Sequence, residues 1–451
     1  MNDEFKMKRF TTLNFLNFAL GFLGLQFAWQ MRIALAEPVT LSLGASPLLY
    51  SLIWLAGPFS GMVVQPIIGV LSDNTKSRFG RRRPYLLAGA LITAIALWLF
   101  PNSAGISDLI GKTFHFTMPA WGGLLVAAIM IWVIDACINI AQGPYRSLIP
   151  DVVLPEQHAQ ANSYISLAIG LGSVIAMAVA PFLKFAFNYQ MSTQAQFIMA
   201  GLAFALAMAW TCLTIREKSS LKSDTDSEKT EGQKQSFWES LKDFFLLSPE
   251  VKKICTMQFF TWIGMMCLLI YFTAFSIHTV YGIPDDTKIL VEQSLKDAAQ
   301  NYALIGLAIF NLVCFLIAVP IGTLANKFGN RKVHIISLLS MIVAYLGLAL
   351  FKDNRTAVLL FMALSGIGWS SVCALPFAML SKYIKPGTEG SVMGIFNIFI
   401  AGPQVFVCTL VGWLINVSAI NGGINHHYEY SFFIGAACLL LATLVTMTIK
   451  E

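Results

Sequence analysis

The chain has 451 residues, 56% of them hydrophobic and only 12% charged, with a net charge of +6. Soluble domains carry about 25% charged residues, so this chain has too little polar material to coat a water-facing surface. Its basic residues are scattered among separate loops rather than gathered in a patch, which argues against nucleic-acid binding.

A membrane-spanning helix needs about 20 apolar residues, and the apolar runs divide the chain into a dozen such spans. In chain order they are expected at 10–35, 47–71, 83–101, 121–147, 162–187, 195–215, 252–281, 301–325, 332–351, 356–381, 388–416 and 429–449. Among the connections assigned to the outside, only 102–120 and 282–300 are long. One long inner segment, 216–250, is polar and charged, a linker composition. The expected fold is therefore all-α, with twelve transmembrane helices in two six-helix bundles, 1–215 and 251–451, joined by the linker.

Charge placement orients the chain. Of the 30 Lys and Arg, six (Lys112, Lys184, Lys288, Lys296, Lys352 and Arg355) fall in the outer connections, and one, Arg32, lies within a span. The rest lie in the alternate loops and termini, which places both ends in the cytoplasm by the positive-inside rule. Compact length and short loops fit a bacterial inner membrane. The eight Cys all sit in apolar runs with no metal-type spacing, so neither disulfides nor a metal is expected. No cofactor motif is present, and a monomer is expected.

The two halves echo each other. Gly69-Val70-Leu71-Ser72-Asp73 leads to Gly80-Arg81-Arg82-Arg83, and Gly322-Thr323-Leu324-Ala325-Asn326 leads to Gly329-Asn330-Arg331-Lys332. Each copy follows the second span of its half, the arrangement of the major facilitator architecture. In this reading Gly69 permits close helix approach. Asp73, Gly80, Arg81, Arg82 and Arg83 form an inner clasp that gates the transporter. The same arginines also fix topology, and Asn326 weakens the second clasp.

Asp135 falls in the middle of the fourth span, where a bare carboxylate costs roughly 2.5–3.5 kcal/mol. It must face a cavity, pair with a cation, or carry a proton. Asn139, Gln142 and Arg146 follow at i+4, i+7 and i+11, giving that helix one polar face. The alternative is a static ion pair with Arg146 or Arg32. In the first span, Gln26 and Gln30 share a face with Glu37, itself expected near the outer water boundary. Arg32 points elsewhere, toward Asp135 or the outer interface.

Amides both donate and accept hydrogen bonds and so suit ligand hydroxyls. Together with Arg32, the candidates for substrate contact are Gln26, Gln30, Asn139, Gln142, Asn162, Gln258, Asn397 and Gln404, with Trp262 as an aromatic platform. Each amide has interhelical hydrogen bonding as its alternative role, and Trp262 has packing. His278, His426 and His427 show no metal pattern and receive no role.

Four stretches carry a closer resemblance: Gln26-Phe27-Ala28-Trp29; Trp54-Leu55-Ala56-Gly57-Pro58 on to Arg81-Arg82-Arg83-Pro84; Asp135 with Gln142-Gly143-Pro144-Tyr145-Arg146; and Pro376-Phe377-Ala378 with Asn397, Pro403 and Gln404. Together they resemble the sucrose–proton symporters of plants and their animal and bacterial relatives. The resemblance implies proton-coupled uptake of sucrose or a maltose-like glucoside, with the proton as coupling ion. It also implies that Asp135 and Arg146 are the coupling acid and its arginine partner. The chain departs from the family pattern at Arg32 and Glu37, and lacks the acid that plant members carry at the end of the seventh span.

Rival readings are sodium-coupled or uncoupled glycoside transport on the same fold, and a non-transporting sugar sensor. A membrane enzyme would need a clustered catalytic constellation at the surface, and none stands out.

Overall fold

The computed structural model describes residues 9–215, 217, 248–285, 291–383, 389–418 and 426–450. The linker expected over 216–250 lies outside them except at Glu217 and its last three residues. Twelve helices are long and apolar enough to cross a membrane, and no strand occurs among the described residues.

The chain divides into two compact units, residues 1–45 with 56–225, and residues 46–55 with 226–451. Unit 1 holds α1 (Thr12–Ser42), α3 (Ala56–Asn74), α4 (Arg83–Leu99), α5 (Ser103–Phe114), α6 (Gly122–Val152), α7 (His158–Phe187) and α8 (Thr193–Thr214). Unit 2 holds α2 (Pro47–Trp54), α9 (Pro249–Ala274), α10 (Gln293–Phe328), α11 (Asn330–Leu350), α12 (Arg355–Ser381), α13 (Glu389–Phe406), α14 (Gly412–Ser418) and α15 (Tyr430–Met447). α2 is early in sequence but packs against α14, and Ser51 Oγ lies 2.6 Å from the Tyr271 hydroxyl.

Local chemistry starts these helices where the sequence provides caps. Thr11, Ser46, Ser192, Ser248 and Asn354 each accept a backbone N–H of the first turn. Such a cap stabilises a helix by about 1 kcal/mol. Pro47 and Pro249 sit just inside the start, where no donor is needed. The long connections differ from expectation: residues 103–114 form α5, and α10 begins at Gln293. Two spans in unit 2 switch to π-helix, over Phe275–Val280 and Val407–Val411.

Packing repeats between the halves. In unit 1, α1 packs on α7 and α8, α3 on α6, and α4 on α6 and α8. In unit 2, the corresponding α9 packs on α13 and α15, α10 on α12, and α11 on α12 and α15. The turns after α3 and α10 match as well, with Gly80 at φ +95° and Gly329 at φ +91°. Leu91, Ile95, Trp98, Leu202, Leu206 and Leu213 are exposed, a surface suited to lipid chains rather than water.

Candidate functional site

The sequence-predicted residues of the first half gather on α1, α6 and α7 of unit 1. Arg32 Nη2 meets Asp135 Oδ2 at 2.5 Å, and the two side chains are only 5% and 8% exposed. Of the two cations considered for Asp135, Arg32 is the one in contact. Arg146 stands apart, exposed, its guanidinium 6.0 Å from the Phe22 ring centroid. It lines a cavity of about 330 Å³ with Ile149, His158, Asn162 and Ile165. Asn162 is exposed there and donates to the His158 carbonyl at 2.9 Å.

Asn139 sits one turn beyond Asp135. Its Nδ2 donates to Ser60 Oγ and to the Asp135 carbonyl, each at 2.8 Å, while Oδ1 accepts from Gln65 Nε2 at 2.5 Å. With both ends of the amide engaged and 2% exposure, Asn139 braces the Asp135 turn. Gln65 is the amide that leads away from this brace. Gln142 keeps a buried Oε1 without a hydrogen bond among the described residues, so its oxygen is available to a ligand.

On the other side of α1, Gln26 and Gln30 both donate through Nε2 to Ser173 Oγ of α7, each at 3.0 Å. Ser173 carries no sequence signal beyond its place in an apolar span. Glu37, expected at the water boundary, is 1% exposed.

The arginines expected to form an inner clasp meet acids other than the expected Asp73. The Asp73 side chain lies outside the described ones. Asp151 pairs with Arg81 at 2.6 Å and with Arg82 Nε at 3.2 Å, and Arg82 Nη1 donates to Ser72 Oγ at 2.6 Å. Glu217 accepts the backbone N–H groups of Arg81, Arg82 and Arg83 at 2.9, 3.0 and 3.3 Å. It thereby occupies the anion-favouring start of α4. Burial lifts its carboxyl above the ordinary 4.5, against the pull of those three N–H groups.

A Cβ on Gly80 would stand 2.3 Å from Glu217 Oε2, so glycine serves both the turn and the acid. Gly69 marks no such approach, since a Cβ there would meet nothing within 4 Å among the described residues. Arg83 donates to the Cys212 carbonyl at the end of the sixth span, and Arg331 of the second copy donates to Ile449 O at 2.6 Å, just past the twelfth. Cations at helix C-termini satisfy carbonyls that the helix leaves over.

In unit 2, Gln258 is 0% exposed and neither amide atom has a hydrogen bond among the described residues. One turn on, Trp262 meets Trp369 edge-on at 5.7 Å, and Trp369 stacks on Phe310 at 6.4 Å. The indole Nε1 of Trp262 is also buried, with no hydrogen bond among the described residues. Asn397 is exposed, and Gln404 turns its amide back to Ile400 O at 3.2 Å.

A separate polar cluster, of residues with no expected role, centres on Asp285. His278 Nδ1 lies 3.0 Å from its Oδ1, His426 Nδ1 2.9 Å from its Oδ2, and the Tyr428 hydroxyl 3.1 Å from Oδ1. Among the described residues no group of His, Cys, Asp and Glu is arranged to hold a metal ion.

The chain is 28% identical over 419 residues to the sucrose transport protein SUT2 of Oryza sativa subsp. indica, covering 85% of this chain and 83% of that protein. It is 24% identical over 489 residues to the general alpha-glucoside permease of Schizosaccharomyces pombe, covering 91% and 88%. Among solved structures, the fold is similar to a D-xylose-proton symporter, with TM-score 0.65, 16% identity and 98% of both chains covered. It is also similar to the nucleoside transporter NupG, with TM-score 0.64, 15% identity, and 97% and 99% covered. The Major Facilitator Superfamily profile matches residues 18–407 and, in a second match, 291–450, and the chain belongs to that superfamily.

Proposed function

We propose that this transporter carries out proton-coupled symport of a disaccharide, sucrose or a maltose-like α-glucoside, by alternating access. The observation that carries the reading is the Arg32–Asp135 pair, a charged carboxylate held at mid-span by a cation that is itself buried. Buried charges in a membrane span are expensive and mark ion pathways and proton relays. Proton uptake at Asp135 removes the charge that Arg32 holds, so protonation and release of Arg32 are one event. That event frees a guanidinium and a carboxyl, both able to donate to sugar oxygens. One turn from the pair stands Gln65, on Asn139, with Gln142 further along α6, and Gln26 and Gln30 of α1 meet Ser173. In unit 2, Gln258 has an unengaged amide one turn from the Trp262–Trp369 rings.

The printed names of the relatives, a sucrose transporter and an alpha-glucoside permease, support the sugar class. Arg146 acts in this reading at the Asn162 cavity, on a sugar in passage, rather than as the resting partner of Asp135. The protein works as a monomer in a cell membrane, with both termini in the cytoplasm. The clasp of Arg81, Arg82 and Arg83 on Asp151 and Glu217 sets the inner gate.

The test uses purified protein in liposomes loaded with a pH-sensitive dye. Sucrose, then maltose, is added outside, and the series is repeated with Asp135→Asn. Internal acidification that accompanies sugar entry and vanishes in the variant is the expected result. Sugar entry without acidification would sink the coupling and leave sodium-coupled or uncoupled transport. Binding without entry would favour a sensor.

A further inference from the structure

Ser173 has one hydroxyl proton and two lone pairs, and all three are committed. The proton goes to the Ile169 carbonyl one turn back, at 2.9 Å. The lone pairs receive Gln26 Nε2 and Gln30 Nε2, each at 3.0 Å. Because the proton is spent on the backbone, each glutamine is required to present its amine to the hydroxyl. Turning either amide over would set its oxygen against a filled lone pair. The network itself therefore decides which end of each amide faces which way, the only sound basis for that assignment.

The neighbouring residue makes the contact possible. A Cβ on Gly172 would fall 2.7 Å from Leu23 O and 3.3 Å from Gln26 Cβ. Only glycine lets α7 lie this close to α1, and Ser173, 4% exposed, is thereby sealed against the two glutamines.

We infer that Ser173, braced by Gln30, is a positioning residue that fixes Gln26 with its carbonyl oxygen turned away from α7. It makes α1 a hydrogen-bond-accepting edge that selects ligands by the hydroxyl protons they donate. The inference rests on the sugar-transport reading and refines it. A polyol qualifies because its hydroxyls donate at neighbouring carbons. A fluoro or methoxy sugar of the same shape fails because its replaced oxygen or fluorine only accepts. Rejection of this kind is sharper than rejection by shape, because a polar protein atom is left without a partner.

The experiment measures KM and kcat of uptake into liposomes for the transported disaccharide and for its singly deoxyfluorinated analogues. Wild type, Ser173→Ala, Ser173→Thr and Gln26→Leu are compared. In wild type, fluorine at the positions read by α1 raises KM by about tenfold, the effect of one lost hydrogen bond to a buried acceptor. In Ser173→Ala the released Gln26 amide can turn its amine toward fluorine, so that penalty shrinks to about threefold or less while kcat holds. Ser173→Thr keeps the hydroxyl and restores the full penalty. Gln26→Leu leaves Ser173 in place and removes the penalty at only those positions that Gln26 reads, a result that a packing role for Ser173 does not give.

A wild-type protein that takes parent and fluoro sugars with equal KM at every position would overturn the inference and leave the transport reading intact. So would an unchanged fluoro penalty in Ser173→Ala. Wild-type liposomes that admit no disaccharide at all would overturn the transport reading and this inference together.

Discussion

The Arg32–Asp135 pair sets the largest single stability effect expected in unit 1. At 2.5 Å, with side chains 5% and 8% exposed, the two charges have exchanged water for each other. Removing one member of such a buried pair costs about 3–5 kcal/mol, because the other is left charged in an apolar setting. Replacing both with apolar residues of similar size is close to neutral. Asp135→Leu and Arg32→Met should therefore each lower stability by about 3–5 kcal/mol, while the two combined should lose about 1 kcal/mol or less. The coupling between the sites is then several kcal/mol, well beyond the few tenths within which independent sites add. Denaturation of the four proteins in one detergent measures the cycle, and uptake in liposomes reads function in parallel. The double variant is expected to be stable and to carry no proton. If the double variant loses as much as the two singles together, the pair does not hold α1 to α6, and the reasoning fails.

Gly80→Ala forces a left-handed backbone on a residue with a Cβ and drives that Cβ to 2.3 Å from Glu217 Oε2. It should cost about 1–3 kcal/mol and release Glu217, seen as faster proteolytic cutting just after the sixth span. Gln258→Leu removes two buried amide atoms that have no hydrogen bond among the described residues. It should leave the melting temperature unchanged or raised while weakening sugar affinity; a fall in melting temperature with unchanged KM would refute the ligand role. At Asp285, burial works to raise the carboxyl, but the His426 hydrogen bond and neighbouring His278 outweigh it and hold it below the ordinary 3.8. A depressed acid contributes stability that is present above its unfolded value of about 3.9 and lost as pH falls through the lower folded value. The stability gap between wild type and Asp285→Asn should be full at pH 5 and close progressively below pH 4, as followed by tryptophan fluorescence.

Much of the fold was legible because a bilayer imposes a simple rule on sequence. Apolar runs of span length gave the twelve helices, and the Gly80 and Gly329 turns gave the repeat that the packing reproduces. The Arg32–Asp135 contact was one of two pairings open to the sequence, since helix periodicity ranks faces within a helix and does not say which helices adjoin. That limit also hid Ser173, whose three hydrogen bonds depend on how α7 meets α1. Glu217 was hidden differently, at the first polar residues after a span, where composition alone reads as linker. Asn139 looked like a cavity residue because an amide on a polar face invites that reading, and only the Ser60 and Gln65 contacts show that it is already engaged. The stretch 103–114 reads as part of a connection, since Asp108 and Lys112 interrupt its apolar residues, yet it winds into α5.

The π-turn over Phe275–Val280 closes with the Tyr281 N–H on the Ser276 carbonyl at 3.1 Å, five residues back. Such a turn winds one more residue into the same rise than an α-turn does. In evolutionary terms it is a place where a codon can be gained without disturbing the helix before it. The reverse change is not silent. Deleting one residue here would return the helix to ordinary winding and leave everything downstream where it stands. Only the turn itself, with His278 in it, would shift, so lineages that lose the extra codon should keep the Asp285–His426 contact and lose the one from position 278.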